Sequence, residues 1–219
     1  MTRKKDLQSM VYEKIRDKII NCEYSPGTLL KEDILKEEYA VSRTPVREAL
    51  ARLENEGLIV IKPKKGILVS PITIEEANEI FEIRELFETY ALRAYGRQIQ
   101  FSILKDFYVH TSLCDPATID RFEFFKLDDE IHQMLLDPVK NTYIHRTYET
   151  ILAQNNRLRY ITGSIDENRI AETKKEHLLF LKSCIDNDWE SAEYYLRDHL
   201  RKSRTTVFNY LLTNQGSEG

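Results

Sequence analysis

Cysteine is scarce in this chain, and the three that occur, Cys22, Cys114 and Cys184, follow no pattern. An odd number at wide spacing without a CxxC pair indicates neither a disulfide framework nor a cysteine zinc site. No apolar run approaches the length of a membrane span. The basic start Met1-Thr2-Arg3-Lys4-Lys5 is not followed by the apolar stretch that a secretory signal needs, so a cytoplasmic chain is expected. With seven glycines and six prolines in 219 residues, helix breakers are also few. Charge of either sign is nearly balanced, but it is unevenly placed. Residues 1–72 carry 14 Lys and Arg against 11 Asp and Glu, a net of +3, and residues 73–219 carry 18 against 25, a net of −7. Two domains of different purpose are expected, each long enough to bury a core, over residues 1–72 and 73–213, with a disordered tail at 214–219.

Chemistry is concentrated in two places. The first is Val41-Ser42-Arg43-Thr44-Pro45-Val46-Arg47-Glu48-Ala49-Leu50-Ala51-Arg52-Leu53, followed by Glu56-Gly57-Leu58. Val46, Ala49, Leu50 and Leu53 form an apolar stripe at helical spacing. Arg43 and Arg47 lie one turn apart near the N-terminal end. Ser42 and Thr44 can cap that end, and Pro45 suits a first turn. A helix that presents two arginines at its start suits the major groove of DNA, where a guanidinium takes O6 and N7 of guanine.

The surroundings complete a winged helix-turn-helix. A first helix over about Leu7 to Asn21 has Val11, Ile15, Ile19 and Ile20 on its buried face, and Tyr24-Ser25-Pro26-Gly27 ends it. A second helix covers about Lys31 to Tyr39, and Ala40-Val41 makes the turn. Two β-branched runs, Leu58 to Ile61 and Ile67 to Val69, flank Lys62-Pro63-Lys64-Lys65-Gly66 and read as a hairpin with a basic tip. Gly66 would let the backbone approach a phosphate or the minor groove. These residues resemble the DNA-binding domain of the GntR family of bacterial transcription regulators over positions 8–71. The resemblance implies base reading by Arg43 and Arg47, phosphate contacts from Thr44 and Lys65, and a wing brought near the minor groove at Gly66. The chain departs from the family pattern at Ala40, where glycine is usual, and at Asp33, where a base-contacting arginine is common. That contact is not carried over.

The second concentration lies in the acidic half, which reads as a helical bundle of about six members. Helices are expected over Ile74–Gln98, Ser102–Leu113, Ile119–Leu136, Thr142–Thr162, Asn168–Asn187 and Trp189–Leu212, punctuated at Asp137-Pro138, Gly163-Ser164 and Asp186-Asn187-Asp188. Asp128 and His132 are four apart and share a face. His177 keeps helical company with Ile170, Phe180, Leu181 and Cys184, and His199 with Ala192, Tyr195 and Leu196. Three imidazoles and a carboxylate suit a divalent transition metal such as Zn, Ni or Mn. Taken singly, each is more readily a core histidine on a carbonyl or a member of an i, i+4 Asp–His pair than a metal ligand. His110 and His145 are read as structural or surface residues.

This half resembles the FCD ligand-binding domain of the fatty-acid-regulator-like branch of GntR proteins. In its metal-binding members an Asp stands four residues before a His, with Glu-His on a later helix and a His on the last. Asp128, His132, Glu176-His177 and His199 match that order, which implies all four metal ligands. Ile131 stands where Phe is frequent, and Lys140-Asn141 where Gly-Asn is. Arg84, flanked by Ile80, Ile83 and Phe87, reads as buried and must find an anion. An internal carboxylate would serve. The resemblance implies instead the carboxylate of a small effector, an organic or sugar acid. The expectation is therefore a homodimeric repressor that binds a palindromic operator and responds to a small carboxylate. Two rivals are a DNA-binding protein with a purely structural metal and a metallohydrolase using the same His/Asp set; the second lacks an HExxH motif.

Overall fold

The computed structural model describes residues 2–162 and 167–215, which divide into two compact units. Residues 1–73 form the first unit together with 153–161, and 74–152 with 162–219 form the second. The expected break near residue 72 is close to this division, although the sequence offered no sign that a stretch near residue 157 would pack with the first unit.

The first unit opens with α1 (Thr2–Ile20), which starts five residues before the expected Leu7. It continues through β1 (Leu29–Leu30), α2 (Glu32–Glu38), α3 (Arg43–Asn55), β2 (Ile59–Lys62) and β3 (Gly66–Val69). The anticipated stripes meet in one core. Val11, Ile15 and Ile19 of α1 pack with Val46, Ala49, Leu50 and Leu53 of α3, and with Leu35, Leu58 and Val69. The wing carries a third strand, in the antiparallel order β1-β3-β2, with Leu29 opposite Leu68. Two residues are too few to show a period of two, so β1 left no trace in the sequence.

Two helix ends follow the same rule with different residues. Helix α3 closes with Gly57 at φ +72°, its N–H bonded to Glu54 O (3.0 Å) and that of Leu58 to Leu53 O (3.0 Å). Helix α2 closes likewise, with Ala40 N–H on Glu37 O (3.2 Å) and Val41 N–H on Lys36 O (3.1 Å). Both are Schellman ends, which put the residue after the cap in the left-handed region. At φ +52° Ala40 occupies that position with a side chain, at a cost that glycine avoids. At the start of α3 the expected cap is absent: Ser42 is the preceding residue but makes no side-chain cap bond, and Thr44 lies inside the helix.

The second unit holds α4 (Ile74–Tyr95), a 3-10 turn over Gly96–Gln98, α5 (Phe101–Leu113), α6 (Arg121–Leu136), most of α7 (Thr142–Thr162), α8 (Glu167–Ile185) and α9 (Trp189–Gln215). These are the six expected helices. Helix α9 runs through Gln215, beyond the expected end at Leu212, and residues 216–219 lie outside the described residues, as does the expected break at Gly163-Ser164. Asp120 starts α6 by accepting from the N–H groups of Phe122 (2.9 Å) and Glu123 (3.2 Å), the usual role of an N-cap carboxylate. Gly96 ends α4 against Trp189, where an added Cβ would lie 2.8 Å from the indole. The core joins Ala91, Leu92, Ile131, Leu135, Tyr148, Phe180, Leu181 and Leu196. No described helix is long and apolar enough to cross a membrane.

Candidate metal centre and nucleic-acid interface

Helical spacing and bundle packing bring the four acidic-half residues together. Helix α6 projects Asp128 and His132 from successive turns, α8 projects His177 and α9 projects His199. All four are buried, and one ligand atom from each falls within 4.8 Å of the others. His177 Nε2 lies 3.4 Å from Asp128 Oδ1, and His132 Nε2 lies 3.1 Å from His199 Nε2. His110 and His145 are not part of this cluster, and His145 Nε2 instead meets Val139 O at 2.6 Å.

Two carboxylates behind the cluster decide which ring nitrogens face it. Glu88 Oε2 lies 2.6 Å from His132 Nδ1, and Glu176 Oε2 lies 2.8 Å from His199 Nδ1. Each carboxylate favours a proton on the Nδ1 beside it, so each Nε2 presents a lone pair. Two such lone pairs 3.1 Å apart, with the Asp128 carboxylate nearby, repel unless a cation or a proton lies among them. The donor set therefore fits a divalent transition metal. Burial, the largest influence on His199, lowers its pKa and outweighs the opposing Glu176 hydrogen bond. The neutral ring that results is the form a metal needs.

Each outer carboxylate is itself held by an arginine. Arg84 Nε donates to Glu88 Oε1 (2.8 Å), and the Tyr148 hydroxyl donates to the same oxygen (2.9 Å). Arg169 donates to both Glu176 oxygens, at 3.0 and 3.2 Å. Burial alone would raise the Glu88 carboxyl, but the Arg84 guanidinium and the neighbouring His132 outweigh it and hold the group below the ordinary carboxylate range. The same contest keeps Glu176 low, with the hydrogen bonds of His199 and Arg169 prevailing over burial. Of the two partners open to Arg84 in the sequence, the internal carboxylate is present. It is Glu88, one turn further along α4, and the i, i+4 spacing could have flagged it.

The basic half presents the second candidate surface. Arg43 opens α3 and Arg47 follows one turn later, and both side chains are more than half exposed. Neither is a simple solvated cation. Arg43 Nη2 donates to Asp33 Oδ1 at 2.7 Å, and Arg47 Nε donates to the Glu32 carboxylate at 2.9 and 3.0 Å. Both acids come from the first turn of α2, and sequence reading gave them no role toward the arginines. Thr44 lies in the first turn of α3. Lys65 and Gly66 stand exposed at the wing tip, with Gly66 at φ +94° and its Cα turned toward Leu29, whose Cδ1 an added Cβ would approach to 2.9 Å. The left-handed backbone favours a glycine there, whatever the wing touches.

The profile described as bacterial regulatory proteins, gntR family, matches residues 7–69, and the FCD domain profile matches residues 79–202. The chain is 27% identical over 206 residues to the HTH-type transcriptional repressor RspR of Escherichia coli K12, covering 92% of this chain and 89% of that one. Among solved structures, Escherichia coli McbR/YncC matches with a TM-score of 0.77 at 17% identity, covering 93% of this chain and 97% of that one. The Zn2+-bound FCD domain of TM0439, a putative transcriptional regulator, matches with a TM-score of 0.56 at 20% identity, covering 66% of this chain and 99% of that one. These likenesses to structures concern the fold. The families are those of transcription regulators and not of enzymes, which sets the metallohydrolase aside. The chain belongs to the GntR family of bacterial regulatory proteins, as a DNA-binding transcription regulator with a C-terminal FCD domain.

Proposed function

We propose that this chain is a sequence-specific repressor whose helical unit holds a divalent transition metal and senses a small carboxylate metabolite. The observation that carries the metal reading is the buried convergence of Asp128, His132, His177 and His199, with two Nε2 atoms facing each other. These four would hold Zn, Ni or Mn, and a bound ion would supply a positive centre for an effector oxygen. Arg84, one residue from the cluster through Glu88, would hold the effector's carboxylate by charge-assisted hydrogen bonds. In the basic unit, Arg43 and Arg47 would read bases, Thr44 and Lys65 would meet phosphates, and Gly66 would bring the wing near the minor groove. A homodimer would set two winged helices on a palindromic operator. The effector would favour the dimer geometry that fits the operator less well, and so relieve repression.

The test is thermal melting of Zn- or Ni-loaded protein against a panel of small carboxylates and sugar acids. An acid at about a hundred times its dissociation constant stabilises its target by about 2.7 kcal/mol. The reading predicts such an acid, and loss of its effect in both His177→Ala and Arg84→Ala. A panel without effect on metal-loaded protein contradicts it.

A second reading has one observation on its side. Arg84 Nε already holds Glu88 at 2.8 Å, so burial of the guanidinium is explained without a ligand. The metal would then be purely structural, and DNA affinity would respond to no small molecule.

A further inference from the structure

Helix α2 places Glu32 and Asp33 directly against the two arginines that lead α3. Arg43 is held by Asp33 Oδ1 at 2.7 Å and lies 3.7 Å from Glu32 Oε2, while Arg47 takes both oxygens of Glu32. An ion pair as exposed as Arg43–Asp33 contributes little to folding. It also puts negative charge on the face that is to meet a polyanion, where it opposes every phosphate alike and weakens binding to DNA of any sequence. The pair therefore costs affinity without adding appreciable stability, and that combination calls for another use.

Hydrogen-bond counting supplies one. A guanidinium has five N–H donors, and Asp33 engages the Nη2 end of Arg43, which leaves donors for a base. A carboxylate at this position fixes the plane and reach of an otherwise flexible side chain, so less freedom is lost when the fork meets guanine O6 and N7. Opposite any other base pair the held arginine finds no matching pair of acceptors, so no base contact offsets the repulsion that Asp33 exerts on the phosphates. The burden of the nearby negative charge then falls on wrong sequences more than on the right one, which is how discrimination arises from an unfavourable element.

We infer that Asp33 is a specificity-determining residue of this regulator: by holding Arg43 it narrows the bases that Arg43 accepts and suppresses binding to unrelated DNA. The inference rests on the proposed base-reading role of Arg43. Asp33 is exposed and leaves no core contact when truncated, so Asp33→Ala should fold as the parent does, which circular dichroism melting verifies.

The experiment is selection from a randomised duplex library with the full chain and with Asp33→Ala, Asp33→Glu, Arg43→Ala and the Asp33→Ala/Arg43→Ala double variant. Affinities for the selected duplex and a scrambled one follow at several salt concentrations. The expected result is a ratio of selected to scrambled affinity that falls about fivefold or more in Asp33→Ala, the lower end of what one base pair contributes. The loss should arise chiefly through tighter binding of the scrambled duplex, with broadened preference at one base pair per half-site and partial recovery in Asp33→Glu. In the Arg43→Ala background, removing Asp33 should leave the ratio unchanged. An unaltered ratio and site in Asp33→Ala overturns the inference, and so does an equal loss without Arg43, which would assign Asp33 a general charge effect. If the parent chain enriches a sequence but Arg43→Ala selects the same one, the base-reading role itself fails, and the inference with it.

Discussion

His132 and Glu88 stand 44 residues apart in sequence, and their side chains meet at 2.6 Å through Nδ1 and Oε2. The contact turns the other ring nitrogen of His132 toward His199, and on the far side Glu88 is anchored by Arg84 and Tyr148. His199 is oriented in parallel fashion by Glu176 and Arg169. Outer carboxylates of this kind raise ligand basicity and fix orientation, and their loss typically weakens metal binding 10- to 100-fold. Glu88→Gln and Glu176→Gln are each expected to lower zinc affinity by about that factor, measured by competition with a chromophoric chelator. Unchanged affinity in both would show that the carboxylates only fill space.

Ala40 offers a stability test independent of any ligand. It is exposed and sits at φ +52°, in the same kind of helix end where α3 uses Gly57. Ala40→Gly removes an exposed methyl group and relieves left-handed strain of about 1 kcal/mol, partly offset by the greater freedom of glycine in the unfolded chain. A net gain of several tenths of a kcal/mol is expected from urea unfolding, and a loss would refute the Schellman reading of this turn.

Arginine and lysine at the basic surface should fail differently. Arg47→Ala is expected to cost about 1–3 kcal/mol on a selected duplex and to relax preference at one position. Lys65→Ala should weaken all duplexes alike and reduce the salt slope of binding by about one. Fluorescence anisotropy across a salt series separates the two, and identical behaviour of both variants would remove the distinction between base and phosphate contacts.

Burial pushes the Cys184 thiol up to about 12, and its side chain is sealed in the helical core. A thiol with that value stays protonated at pH 8 and does not supply the reactive thiolate. Iodoacetamide at pH 8 should leave Cys184 unlabelled in native protein and label it after denaturation, as read by peptide mass. Rapid native labelling would mean that α8 opens readily.

Much of this architecture was legible because one face of each helix repeats. The stripes Val11-Ile15-Ile19 and Val46-Ala49-Leu50-Leu53 are local patterns, and so is the Asp128–His132 spacing. The three histidines could be gathered because each keeps apolar company on its own helix. What escaped depends on which helices become neighbours. Glu88 has no evident role in the sequence, and nothing local shows that it faces His132 or that Glu176 faces His199. Likewise Glu32 has no evident role in the sequence, and Asp33 stands out only as the place where the family commonly has a base-contacting arginine. Only the packing of α2 against α3 shows that they hold Arg43 and Arg47.

The most direct test of the metal-centred account is a zinc titration of chelator-stripped protein, followed by calorimetry and melting, for the parent chain and His177→Ala. The account predicts one ion per chain in the parent, with a higher melting temperature, and loss of both in the variant. Zinc that leaves the parent's melting unchanged, or that stabilises His177→Ala equally, would contradict it.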